Sequence, residues 1–299
     1  MSGFGAIVLA GIFWSSVGLF ARFLSAYQLN PFYMVVLRTL CAVSCLGIYL
    51  AVFKRQWLVI DRRDVGRFLR AGVVTIVLAH PALFMSLQAN TIAVATILLY
   101  TAPFYVVVLS RFLYSEAITG RKCLALLLAL LGLALVVNIF DLSNLAVTPM
   151  GLGIGLLAGF LQGVQTLVMK DVSTRYHATT ALFYTFSSGL IILWLVLLVF
   201  KISMPVTLPG PAWLGVVGVG IITTLTPFLL FTWGLQRTEA GIASIASMLE
   251  PITAALLGYF VLGEHLAPIQ IVGMALMLAG IAIVALPKKD SNKHEQSLF

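Results

Sequence analysis

Three ionisable side chains, Arg38, His80 and Glu250, lie inside otherwise apolar stretches of this sequence. A charge at the middle of a bilayer costs about 2.5–3.5 kcal/mol on insertion scales, so it is expected only where it is paired, neutralised or wetted. His80 precedes Pro81 and Glu250 precedes Pro251. A proline inside a helix removes a backbone donor and frees carbonyl oxygens, which then need a cavity or another partner. Two readings of Glu250 are open: a site for a proton or a substrate amine, or a buried acid bonded to a neighbouring helix. His80 either exchanges protons and binds a carboxylate, or stays neutral and donates to a freed carbonyl. Arg38, in the outer third of its segment, has two readings: it stretches to the outer surface, which is the default for a long basic side chain, or it takes a substrate role.

Uncharged groups extend the set. Gln162 and Gln165 are three residues apart and share a helical face. They either face a cavity or join helices together. Trp14, Tyr100 and Ser244 are further candidates for a cavity wall, with Ser15, Thr101, Ser247 and Trp233 close to them in sequence. Interfacial belts compete for the aromatic rings, less strongly for Trp14 and Tyr100, which fall near mid-segment. Pro81, Pro103, Pro227 and Pro251 are candidate bending points. The chain contains no GxxxxGK[ST] phosphate loop, no HExxH and no GxSxG. Cys41, Cys45 and Cys123 fit no metal or disulfide pattern and read as apolar packing. No cofactor and no metal site is expected. An intramembrane enzyme and a channel are the rival classes; the first lacks a nucleophile motif and the second a repeated polar ring.

The elements that must position these residues follow from composition. The chain is 61% hydrophobic and 9% charged, with a mean hydropathy of +1.07, whereas a soluble domain carries about 25% charged residues. Apolar runs of about 18 or more residues read as membrane helices. Ten are found, at 4–21, 32–53, 71–88, 92–113, 121–140, 150–169, 179–200, 212–233, 241–261 and 268–286. The net charge of +8 does not point to nucleic acid. With the N-terminus inside, fifteen of the eighteen basic residues fall on the cytoplasmic side, which fixes both termini there. The stretch 61–70 reads as a solvated amphipathic connector.

The second half repeats the first at an offset of 148 residues. Gln88 falls on Gln236, Pro103 on Pro251, Phe112 on Phe260, Glu116 on Glu264 and Gly132 on Gly280; Gly5 and Gly11 fall on Gly153 and Gly159. Five spans per half is an odd number, so the halves enter the bilayer from opposite sides. The fold expected is an all-α integral membrane protein of ten helices in two inverted five-helix repeats. The divisions are 1–140 for the first repeat, 141–149 for a periplasmic linker, 150–287 for the second repeat and 288–299 for a cytoplasmic tail. Glu116 and Glu264 precede the fifth and tenth helices, where an acid suits a helix N-terminus, and read as structural. The glycines of the sixth span, with GxxxG at Gly155, Gly159 and Gly163, permit close helix approach.

The paired segments LLYTAPFYVVVLSRFLYSEAIT and SMLEPITAALLGYFVLGEHLA resemble the two halves of EamA-type carriers in the drug/metabolite transporter superfamily. The resemblance covers nearly the whole chain and is greatest to the YddG-type amino-acid exporters. It implies inside termini and a central cavity lined by helices one, three, four, six, eight and nine. It also implies export of small metabolites, chiefly aromatic and other neutral amino acids, with amphipathic organic cations as a further class. Alternating access at a bacterial inner membrane is the mechanism expected, with proton antiport through Glu250 or His80 and facilitated diffusion both open as energy sources. The partners expected are a small-molecule substrate and the lipid bilayer; no obligate protein partner is evident, and a monomer suffices.

Overall fold

In hydrocarbon every backbone N–H and C=O must find a partner within the protein, so apolar spans are driven into helices. The structure, a computed structural model, describes residues 1–25, 27, 31–138, 148–202 and 208–286. Among the described residues, nine helices are long and apolar enough to cross a membrane. They are α1 (Gly3–Phe20), α2 (Phe32–Phe53), α3 (Arg62–Ala89), α4 (Ile92–Tyr114), α6 (Pro149–Ser173), α7 (Ala178–Val199), α8 (Gly210–Leu235), α9 (Ala240–Leu262) and α10 (Pro268–Ala285). The tenth, α5 (Gly120–Val136), has 17 residues. That length reaches about 26 Å, close to a hydrocarbon core of about 30 Å.

The inversion of the halves is visible where α5 meets α10. A Cβ added at Gly132 would lie 2.5 Å from the Gly273 carbonyl oxygen, and one added at Gly280 would lie 2.6 Å from that of Ala125. Gly132 and Gly280 are repeat mates, as are Ala125 and Gly273, so each contact is the image of the other. Residue numbers rise along one helix as they fall along the other; the mates are antiparallel. Only glycine permits so close an approach. Ala129, Leu133 and Met277 fill the remainder of this seam. Its ends are tied by the Gln270 side-chain amide donating to the Val136 carbonyl at 2.7 Å and by Arg121 donating to Ile283 and Leu286 carbonyls at 2.6 Å. The same image relation holds elsewhere: α1 packs on α8 as α6 packs on α3.

Two boundaries differ from the sequence reading. The stretch 61–70 is not a free connector: Arg62–Asp64 form one tight turn, and Val65–Gly72 are the first helical turns of α3 itself. Arg67 holds it in place, pairing at 2.9 Å with both Asp64 and Asp171 of α6, while Phe68 is buried. The helix expected to end at 140 stops at Val136. The linker at 141–147 and the tail 288–299 lie outside the described residues.

Five of the ten helices are interrupted, all around mid-depth. α3 and α8 carry π-helical turns at Val73–Ala79 and Ile221–Leu225, which begin at positions 148 residues apart. Both run into a proline, Pro81 and Pro227. α4 breaks at Tyr100–Thr101, just before Pro103, and α9 at Ser247–Met248, just before Pro251. α1 breaks at Ser16, where the Ser15 and Ser16 hydroxyls donate to the Ile12 and Phe13 carbonyls. α6 runs unbroken, and four of its glycines, Gly151, Gly155, Gly159 and Gly163, serve packing: Gly159 lies against the Leu98 carbonyl and Thr101, at the break in α4.

Replacing Gly132 or Gly273 by Ala is expected to destabilise the protein by about 1–3 kcal/mol through overpacking. Gly153→Ala, whose added Cβ meets nothing within 4 Å, is the control. Thermal unfolding of purified protein checks this, and equal melting temperatures for the three variants would contradict the seam.

Candidate functional site

The interruptions converge on one space. A proline-associated break leaves backbone groups that lipid cannot satisfy, so it is stable only beside a cavity or another polar group. A cavity of about 150 Å³ lies among the broken parts of α1, α3, α4, α8 and α9 and the unbroken α2 and α6. An engineered apolar cavity of that size holds benzene; this one has polar walls.

All seven residues singled out from sequence as cavity candidates meet here: Trp14, His80, Tyr100, Gln162, Gln165, Ser244 and Glu250. Of the four candidate bending prolines, Pro103 is on the wall, while Pro81, Pro227 and Pro251 are buried away from it. Arg38 is a correction. It does not reach for the membrane surface but lines the cavity, with Nε buried. Ser247, Thr166 and Thr223 are also on the wall, as are Phe228 and Phe231. Trp233 is not; the Arg237 guanidinium covers its ring at 3.8 Å.

The wall is built from repeat mates. Trp14 and Gln162, Val17 and Gln165, His80 and Phe228, Leu83 and Phe231, Leu99 and Ser247, Ala102 and Glu250 all line it, and each pair is 148 residues apart. A cavity bounded this way straddles the pseudo-two-fold axis relating the halves. Only the scaffold is paired, however. In each of these pairs except Leu83 and Phe231, one member can hydrogen-bond to a ligand through a strongly polar side chain while the other is largely or wholly apolar.

Aromatic rings form one side. Trp14 lies 5.2 Å from both Phe228 and Phe231 between ring centroids, and Phe228 packs edge-on against His80 at 6.0 Å. On the polar side, hydroxyls are satisfied locally: Ser244 donates to Gly241, Ser247 to Ser244 and Thr223 to Val219 carbonyls. The Glu250 carboxyl group shares the wall with Tyr100, whose hydroxyl is the side chain that interacts with it. Arg38 Nε, His80 Nδ1 and Gln165 Oε1 are buried and have no hydrogen-bond partner among the described residues. Among those residues no group of three or more His, Cys, Asp or Glu could hold a metal ion. The site therefore offers hydrogen bonds, one carboxylate, one guanidinium and an aromatic wall. It can bind a small amphipathic molecule.

Comparison with known proteins agrees with this architecture. Residues 1–138 and 149–286 each match the EamA-like transporter family. An uncharacterized transporter of Archaeoglobus fulgidus is 29% identical over 287 residues, covering 94% of this chain and 95% of its own length. The uncharacterized transporter YwfM of Bacillus subtilis is 28% identical over 291 residues, covering 95% and 94%. One crystal structure shares the fold with a TM-score of 0.75 at 19% identity, covering 93% of this chain and 94% of that one.

A cysteine replacing Gln162, in a chain whose native cysteines are changed to Ser, is expected to react with a water-soluble thiol reagent at least about tenfold faster than one replacing Leu131, because only a wetted thiol ionises. Leu131 is an exposed apolar side chain of α5. Equal rates at the two positions would show that the cavity is dry.

Proposed function

Because the chain belongs to the EamA-like transporter family, we propose that the mid-membrane cavity is the substrate site of a secondary transporter working by alternating access. The observation that carries this reading is the position of the cavity across the axis of two inverted halves, with repeat mates on its wall. A site on that axis can be exposed to one side by one arrangement of the halves and to the other side by the mirror arrangement. The substrates proposed are small metabolites, chiefly aromatic and other neutral amino acids, with amphipathic organic cations as the second class. The aromatic wall of Trp14, Phe228 and Phe231 suits an apolar side chain, and a cation can also stack there. Basic residues gather at one end of the bundle, and by the positive-inside rule that end is assigned to the cytoplasm of a bacterial inner membrane, with both termini. Substrate then leaves the cell.

The two ends of the bundle are not equivalent, which supports an outward-facing arrangement. At the basic end Glu116, just after α4, accepts hydrogen bonds from the backbone N–H groups of Ala240 and Gly241 at 2.6 and 3.1 Å. It thus caps the start of α9 across the two halves, not α5 as its position in sequence implies. Lys122 pairs with Glu239 beside it. The second part of α4, Ala102–Tyr114, packs on the first part of α9, Ala240–Ala246. The image pair, Ile92–Leu99 with Leu249–Leu262, makes no comparable packing. Glu264, the mate of Glu116, is exposed. The halves are latched at the basic end and parted at the other.

Counterflow by purified protein in liposomes tests the reading. The expected result is saturable uptake of labelled amino acid, stimulated by unlabelled substrate on the opposite side. Flux that rises linearly with concentration and ignores substrate across the membrane would mark a pore instead.

A further inference from the structure

We propose that this cavity selects substrates bearing an anionic group, which seats on Arg38, while the substrate's amine seats on Glu250. The inference rests on the transporter reading and chooses between its two substrate classes: dipolar molecules are carried, and simple organic cations are not. A guanidinium offers five N–H donors, accepts nothing and keeps its proton, so only acceptors can satisfy it. Arg38 makes no ion pair among the described residues, and its Nε is buried without a partner. Glu250, the single acid on the wall, forms no ion pair with Arg38 among the described residues. An unpaired cation beside lipid is costly. A carboxylate arriving beside Arg38 and His80 would meet the guanidinium with short charge-assisted bonds.

The surroundings of Arg38 fit that role. Its backbone lies against Gly220 of α8, one turn before the wall residue Thr223, and its charge is felt by His80 of α3. Glu250 lies by contrast beside Gly11 of α1, one turn before Trp14. The two charged residues thus rise from different helices, α2 and α9, and from different halves of the chain. Neither has a charged mate: position 186, opposite Arg38, is the fully buried Phe186, and position 102, opposite Glu250, is Ala102. A molecule with both charges bridges the halves. A cation alone leaves Arg38 uncompensated and adds a like charge to the same space.

The test uses purified full-length protein and matched series, in which each neutral amino acid is compared with its decarboxylated amine and its deaminated acid; phenylalanine, phenethylamine and 3-phenylpropanoate form one such set. Binding is read by thermal shift and transport by counterflow. Wild type is expected to prefer the amino acid to the amine by about tenfold or more, the worth of a lost charge-assisted bond. Arg38→Met is expected to remove that preference while amine binding persists, which also shows that the variant is folded; Arg38→Lys is expected to restore part of it. Glu250→Gln is expected to weaken amino acid and amine alike. An unchanged amino-acid-to-amine ratio in Arg38→Met overturns the assignment, as does a wild type that binds no member of the series. Arg38-dependent binding without counterflow would keep the assignment and refute the transporter reading.

Discussion

A bilayer supplies no water to a broken helix, so every backbone interruption and every charge within it must be answered by protein or by a wet cavity. That constraint organises this molecule. The π-helical turns of α3 and α8 and the breaks in α1, α4 and α9 fall at one level. The polar wall residues fall at the same level, and the space between them is the cavity. Away from that level the helices are regular and close-packed, with glycines setting the distance between α5 and α10 and between α6 and α4. The irregular centre and regular periphery are two consequences of one solvent.

Duplication explains the architecture, and its incompleteness explains the chemistry. A duplicated five-helix unit inserted in opposite senses gives antiparallel mates, paired breaks and a seam on the axis. Had the side chains stayed symmetric, each kind of charge would be present on the site twice or not at all. Instead Arg38 faces the cavity in one half and Glu250 in the other, each opposite an apolar mate. A symmetric scaffold can exchange its two states, while an asymmetric lining reads a ligand with distinct ends. The latch has the same logic: Glu116 is engaged at one end of the bundle while its mate Glu264 stays exposed at the other.

Much of this was legible in the residues. Span length and apolarity locate the helices because hydrocarbon thickness leaves little freedom, and the offset of 148 residues gives the inversion by parity. The seven cavity candidates stand out in the sequence because a polar side chain at mid-depth has few places to go, and the structure places them on one wall. Arg38 was misread because depth along a helix does not give direction around it, and a long side chain near a span end has two destinations. The close packing of α2 on α8, where Gly220 lies against Cys41 and the Arg38 carbonyl, is a tertiary contact that one helix's sequence does not reveal. The early start of α3 depends on Asp171, over a hundred residues away, pairing with Arg67. The π-helical turns have no residue signature, although the prolines after them mark the neighbourhood. Glu116 was recognised as a helix-capping acid, but tertiary packing, not sequence order, chose the helix.

Paired cysteines at repeat-related positions test alternating access most directly. A Cβ on Gly241 would lie 3.2 Å from the Val107 side chain, so Val107→Cys with Gly241→Cys reports closure at the basic end. The images of these positions, Ala255→Cys with Ala93→Cys, report closure at the other end. The first pair is expected to cross-link in the latched protein and the second to remain open. When Glu116→Gln weakens the latch, the first yield should fall as the second rises. Cross-linking of both pairs within single molecules, or a second yield that stays at zero as the first falls, would contradict alternating access.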